Sequence, residues 1–321
     1  MNKLASFALA AAIALTAGIS APAWAETKQV AISYVTSPFN VPSIVMRKKG
    51  FLDEAFAEKG VTLTHPEITS GAAQTQALAA GELQIASVLG GTSAILANAN
   101  GADVVVIGAY ARSPKAYFVM SMDGGPADIK SLKGKKVAGP KGTVLNQLLA
   151  AALAKEGLSL DDIEYMNMDL PTARAALLAG QVDAATLAGA NAVQVEAAGG
   201  KAIVDGENLI APTTVIGSSK AFVEANPELV QAYFAAHLKA LDFIKSNEEE
   251  ALQLAAEDQG LSLEEAKKQF ALYDFTPLMT DADVANLSAD QDFMIDAQML
   301  EAGNKIDIKK DLIAPLAFEI K

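Results

Sequence analysis

The residues best suited to chemistry in this sequence are uncharged donors set beside glycines. Ser70-Gly71, Gly90-Gly91-Thr92, Gly142-Thr143 and Gly189-Ala190-Asn191 each stand where an apolar strand pattern gives way to a helical one. A Ser or Thr at such a point caps the first helical turn. The backbone N–H groups left free there, with the helix dipole behind them, attract an anion. Glycine lets a ligand approach the main chain closely. Ser37, Asn40, Gln74 and Thr213 add further neutral donors in loops or at helix starts. Phe39 either stacks on a ligand or staples its own loop. Arg112 and Lys141 are either cations for the pocket or solvated loop charges. Asp169 is either a helix cap or the one acid available to a ligand ammonium. The expected binding set is Ser37, Phe39, Asn40, Ser70, Gly71, Gln74, Gly91, Thr92, Arg112, Lys141, Gly142, Thr143, Asn191 and Thr213.

That inventory suits binding better than catalysis. There is no cysteine, hence no thiol nucleophile, no disulfide framework and no Cys-type metal site. The two histidines, His65 and His237, lie far apart without an acid at metal-ligand spacing and are read as structural or surface residues. They are also poor material for a nucleophile–base pair. The stretch from Lys133 to Leu149 has a glycine-rich strand-to-helix turn, but the GxxxxGK[ST] spacing of a nucleotide-binding loop is absent. No enzyme activity, cofactor or metal is expected. An excess of 38 acidic over 25 basic residues argues against nucleic acid or an anionic membrane as partner.

The elements that must position these residues alternate. Strands are expected over 30–35, 61–68, 83–88, 104–109, 117–122, 136–138, 163–166, 182–187 and 202–204, with helices over 43–58, 70–80, 93–99, 143–156, 171–179 and 192–198 between them. This rhythm means βαβ units and an α/β fold. A further segment, 213–218, runs back, and from Lys220 onward the chain reads as largely helical. Residues 77–87 match 176–186, and at a constant offset of 99 Gly81, Gly90 and Gly101 fall on Gly180, Gly189 and Gly200. Glycines kept at matching punctuation points indicate two similar lobes. Each would present its βα loops at the carboxyl ends of its strands, where open α/β sheets bind ligands. The expected division is 26–112 with 214–321 as lobe one and 113–213 as lobe two, the chain crossing near 112–117 and 206–214.

Residues 1–25 read as a signal peptide. Lys3 supplies the positive region, 4–19 the apolar core, and Ala23-Trp24-Ala25 the small residues read at cleavage. The apolar run is short for a membrane span, and it ends at Pro22 rather than at a charge cluster.

Several segments carry a specific resemblance. They are Lys49-Gly50-Phe51-Leu52-Asp53-Glu54, Ser70-Gly71 with 76–81, Ser131-Leu132-Lys133-Gly134-Lys135-Lys136-Val137, Gly139-Pro140-Lys141-Gly142-Thr143, Ala179-Gly180-Gln181-Val182-Asp183-Ala184, and Asn226-Pro227-Glu228. In this order they resemble the substrate-binding proteins of ABC importers for aliphatic sulfonates, taurine and nitrate, and the related thiamine-precursor-binding proteins. The resemblance implies two Rossmann-like lobes of the type II periplasmic binding protein fold, with C-terminal helices on lobe one. It also implies a periplasmic, monomeric receptor with a small-molecule ligand and an inner-membrane permease as partner. One departure stands out: where many relatives carry Trp-Asp-Pro or Glu-Pro, this chain has Leu187-Ala188-Gly189-Ala190-Asn191-Ala192. Few acids and no aromatic cage are evident in the loops. An anion without a cation, such as an alkanesulfonate, or a small heterocycle therefore fits better than a zwitterion. A ligand-presenting partner of a sensor kinase is the alternative role. The pyrimidine-precursor synthase of the same fold carries a cysteine-rich segment that this chain lacks.

Overall fold

The computed structural model describes residues 29–36 and 38–320. The expected signal peptide and Ser37 lie outside the described residues. The chain begins with β1 (Gln29–Ser33), α1 (Val41–Lys48), α2 (Phe51–Ala57), β2 (Thr62–Thr64), α3 (Gly71–Ala80), β3 (Ile85–Gly90), α4 (Gly91–Ala99) and β4 (Val105–Arg112). It continues through β5 (Tyr117–Met122), β6 (Lys136–Gly139), α5 (Val144–Lys155), β7 (Glu164–Asn167), α6 (Leu170–Leu178), β8 (Ala184–Ala188), α7 (Gly189–Ala197) and β9 (Gly200–Asp205). After β10 (Thr213–Ser218) come α8 (Lys220–Ala225), α9 (Pro227–Ser246), α10 (Glu248–Gln259), α11 (Leu263–Phe270) and α12 (Asp281–Asp296).

The strands form two sheets of five, ordered β2-β1-β3-β10-β4 and β7-β6-β8-β5-β9. The two orders are the same pattern written twice. Three parallel strands (β2, β1, β3 or β7, β6, β8) are followed by one antiparallel strand and then an edge strand. The antiparallel strand is β10 in the first sheet and β5 in the second, the two strands that follow the chain's crossings between sheets. The sequence repeat maps onto this architecture: residues 77–87 run from α3 into β3, and 176–186 run from α6 into β8. Gly81 and Gly180 both end their helices with positive φ, 74° and 68°, a conformation that costs glycine little. At the third glycine the correspondence slips, since Gly101 (φ 84°) is matched conformationally by Gly199 (φ 88°) rather than by Gly200.

Alternation along the strands divides the apolar residues between the two faces of each sheet. Val30 and Ile32 pack with α1, α9 and α10, whereas Ala86, Leu89 and Val106 pack with α4 and α12. In the second sheet Val119 and Val137 face α5, and Met120, Ala138 and Leu187 face α6 and α7. Near-continuous apolar strands covered on both sides are what a parallel α/β sheet requires. The helix expected over 43–58 is two helices, because Gly50 adopts φ 71° and stands as the N-cap of α2. The long helices after β10 pack mainly on the first sheet's side, α9 against α1 and α2, and α12 against α4.

Candidate functional site

The carboxyl ends of the central strands of both sheets open onto one cavity of about 670 Å³. Five helices begin at its wall: α3 and α4 from the first sheet, and α5, α6 and α7 from the second. Three of them are capped by side chains. Ser70 Oγ accepts from Ala73 N–H, Thr143 Oγ1 from Leu145 N–H, and Asp169 Oδ1 from Thr172 N–H. The other two, α4 and α7, follow Gly90 and Ala188 and have no side-chain cap. Among the described residues no side chain caps their first N–H groups, the groups that attract an anion at a helix start. These two helices occupy equivalent places in the repeat, so each sheet contributes one uncapped start.

Seven of the fourteen expected residues line this cavity: Ser70, Gly71, Gly91, Thr92, Thr143, Asn191 and Thr213. Thr213 is buried, and its hydroxyl finds no partner among the described residues. Gly91 allows the end of β10 to lie against the start of α4. A Cβ there would meet the Thr213 carbonyl oxygen at 2.7 Å and a Leu287 methyl at 2.6 Å. Gly91→Ala is therefore expected to cost about 1–3 kcal/mol of stability, read as a lowered urea midpoint at unchanged slope.

The structure takes the other described residues of the expected set elsewhere. Phe39 is buried against Tyr273, with ring centroids 5.8 Å apart, so it staples its loop. Asn40 is fully buried and folds back on its own loop, donating to the Pro38 carbonyl and accepting from Ser43 Oγ, each at 2.6 Å. Gln74 accepts from Ser33 Oγ and donates to the Val88 carbonyl, joining α3 to the sheet. Arg112 is a structural brace. Its Nε and Nη2 reach the two carboxylate oxygens of Asp283 at 2.6 Å, and it also donates to the Thr276 and Leu278 carbonyls at 2.9 Å. Burial alone would push the Asp283 carboxyl up, but the Arg112 guanidinium and the Thr280 donors hold it below the usual range. Lys141 is exposed and Gly142 turns at φ 77°, both outside the lining. Asp169 caps α6, as one of the two readings had it, and it also lines the cavity.

No Lys, Arg or His is present among the described lining residues. His237 is buried beside Tyr110, and burial lowers its pKa to about 4. Among the described residues no group of three or more His, Cys, Asp or Glu side chains is placed to hold a metal.

Among the lining residues outside the expected set, Asp290 is the one whose carboxylate changes the chemistry of the wall. It sits on the buried stripe of α12 with Asp283, Leu287, Gln291 and Met294. A carboxylate at an apolar register of a helix is the signal that points to it. Asp290 is 3% exposed, and its Oδ1 accepts from Gln147 Nε2 of α5 at 2.8 Å. That bond ties a helix packed on the first sheet to one packed on the second. Burial pushes the Asp290 carboxyl up to about 6, against the opposing hydrogen bond from Gln147. The folded chain therefore keeps a proton that an unfolded aspartate releases near pH 4. The stabilising contribution is complete below that value and is lost as pH rises through about 6. Asp290→Asn is expected to gain stability relative to wild type between pH 4 and 7.5, measured by parallel thermal melts.

A model of the family described as NMT1/THI5 like matches residues 38–251, and the chain belongs to that family. The crystal structure of the periplasmic aliphatic sulphonate binding protein SsuA from Escherichia coli superposes with a TM-score of 0.77 at 23% identity, covering 91% of this chain and 99% of that one. The alkanesulfonate-binding protein SsuA from Xanthomonas axonopodis pv. citri, bound to MOPS, superposes with a TM-score of 0.78 at 23% identity, covering 90% and 100%. These likenesses give the chain the periplasmic binding protein fold. In sequence, the taurine-binding periplasmic protein of Escherichia coli (strain K12) is 30% identical over 215 residues, which is 65% of this chain and 64% of that protein.

Proposed function

We propose that this protein is an exported solute-binding receptor of an ABC importer, and that it captures a small organic anion of the aliphatic sulfonate class. The observation that carries this reading is the pair of uncapped helix starts, α4 and α7, directed from opposite sheets into one cavity. Oriented N–H groups and the Thr92, Asn191 and Thr213 side chains hold an anion through hydrogen bonds, without a countercharge in the wall. Two lobes, 26–112 with 214–321 and 113–213, close about the crossings and replace ligand water with these donors. The closed form is what an inner-membrane permease recognises. No step in this cycle makes or breaks a covalent bond, so the protein is a receptor rather than an enzyme. The sulfonate and taurine binding named for the relatives supports the ligand class.

A thermal-shift panel of alkanesulfonates, short carboxylates, pyrimidines and aliphatic amines tests it. A ligand at a hundred times its Kd stabilises the fold by about 2.7 kcal/mol, well within detection. Shifts with sulfonates are expected, and a shift with amines alone overturns the reading.

A further inference from the structure

The contact between α5 and α12 is made of two incomplete halves. Gln147 Nε2 donates to Asp290 Oδ1 at 2.8 Å, joining a helix packed on the second sheet to one packed on the first. Beyond that bond the Gln147 carbonyl oxygen is buried without a partner, and the second Asp290 oxygen accepts from no donor among the described residues. Both side chains are forks, and while the carboxyl is ionised both unused prongs are acceptors. Buried acceptors in such a pair repel each other and forgo the hydrogen bonds that water would give them. A proton on Asp290 turns one of them into a donor. Asp290 O–H then donates to Gln147 Oε1 while Gln147 N–H still donates to Asp290, and each fork satisfies the other.

Among the described residues no cation stands beside Asp290 to keep it ionised. α4 and β10, which pack against α12, carry no titratable residue, and α5 carries only Lys155, exposed at its far end. In the segment Ile308–Leu312, Lys309 pairs with Asp281, and Lys310 and Asp311 are exposed. On α12 itself Asp283 is held by Arg112, Asp292 by Lys305, and Asp296 is exposed. From the cavity side, burial keeps the Tyr117 hydroxyl neutral, and Asp169 is the exposed cap of α6.

From this geometry we infer that Asp290 and Gln147 form a proton-dependent clasp between the two lobes, which holds them together when the carboxyl is protonated and lets them part when it is ionised. The inference rests on the receptor reading above for the closing of two lobes, and it concerns when they close rather than which solute they take. When the lobes part, Asp290 meets water and its carboxyl returns to the ordinary range near about 4. In the clasp, burial holds it up at about 6. Closure therefore takes up a proton between those values. The contribution of the clasp is complete below about pH 4 and is lost as pH rises through about 6. A solute bound by the closed form should lose about tenfold in affinity between pH 5 and pH 8.

The chain has no cysteine, so introduced thiols carry labels at chosen places alone. Ala72 on α3 and Ala175 on α6 are exposed, on helices that start at the cavity wall from opposite sheets. With nitroxides on Ala72→Cys and Ala175→Cys, electron-resonance distances in the ligand-free mature protein are expected to show a short separation at pH 5 and an added longer one at pH 8. Asp290→Asn, whose amide can donate to Gln147 as the protonated acid does, should keep the short separation at both values. Gln147→Leu should show the longer one at both. Identical distance distributions at pH 5 and pH 8 without either clasp substitution overturn the inference, and this arm needs no variant beyond the labels. A pH response unchanged in Asp290→Asn also overturns it, by moving the proton to another group. Titration with ethanesulfonate, which stays ionised throughout this range, should show the tenfold fall in wild type and none in Asp290→Asn, and equal wild-type affinity at both pH values overturns the clasp. If ethanesulfonate does not bind while the separation still responds to pH, the clasp stands and only the sulfonate reading fails.

Discussion

Arg112→Met should lower the stability of the folded chain by about 3–5 kcal/mol, the largest effect expected of any single substitution here. The reason is the state in which it leaves Asp283. That carboxylate is 1% exposed and is held by the two-pronged contact from Arg112, with the Thr280 backbone and hydroxyl as its remaining donors. Removing the guanidinium leaves an ion in the core with half its partners, or forces it to take up a proton. The same substitution frees the Thr276 and Leu278 carbonyls and loosens the segment that leads into α12. Adding Asp283→Asn to Arg112→Met should recover more than half of the loss, because the charge is removed while the amide keeps the hydrogen-bonding shape at the start of α12. Urea unfolding of the three proteins measures this. A loss below 1 kcal/mol for Arg112→Met would show that Arg112 does not brace the fold.

Binding should be most sensitive at Thr92. Thr92→Asp is expected to weaken binding of an alkanesulfonate by about a thousandfold. Two like charges 4 Å apart at an effective dielectric of about 20 repel by about 4 kcal/mol. Folding should survive, since an acid in the first turn of a helix is favoured by about 0.3–1 kcal/mol. Thr92 lines the cavity, and its hydroxyl has no protein partner among the described residues, so its replacement breaks no internal hydrogen bond. Titration together with a melting curve separates the two effects. Less than a tenfold loss of affinity in a folded Thr92→Asp protein would place the anion elsewhere.

Local chemistry made much of the fold legible before any coordinates. Glycines that end helices in the left-handed region, Ser70, Thr143 and Asp169 as caps, and strands apolar on both faces are properties of a few neighbouring residues. Their repetition at an offset of 99 announced the two matching sheets. The split at Gly50 was the local feature misread, because a glycine between two helical patterns is compatible with both continuation and a break. The cavity was legible only where it is built from backbone, at the helix starts, since those positions follow from where each strand ends.

The sequence by itself determined the α/β repeat, the caps of α3, α5 and α6 and the glycine turns around the cavity, whereas the lack of a side-chain cap on α4 and α7 emerged only in the structure. Tertiary structure alone decided which polar side chains face a ligand. Arg112 looked like a free cation until Asp283, 171 residues away, was placed against it. Asp290 drew no notice in the sequence, and only the packing of α12 brought it beside Gln147, 143 residues distant. Asn40 and Gln74 were donors of the right kind, yet both turned inward to satisfy buried carbonyls. A charged or amide side chain takes the partner that burial leaves it, and burial is set by segments far apart in the chain, whereas a cap or a glycine turn needs only its neighbours.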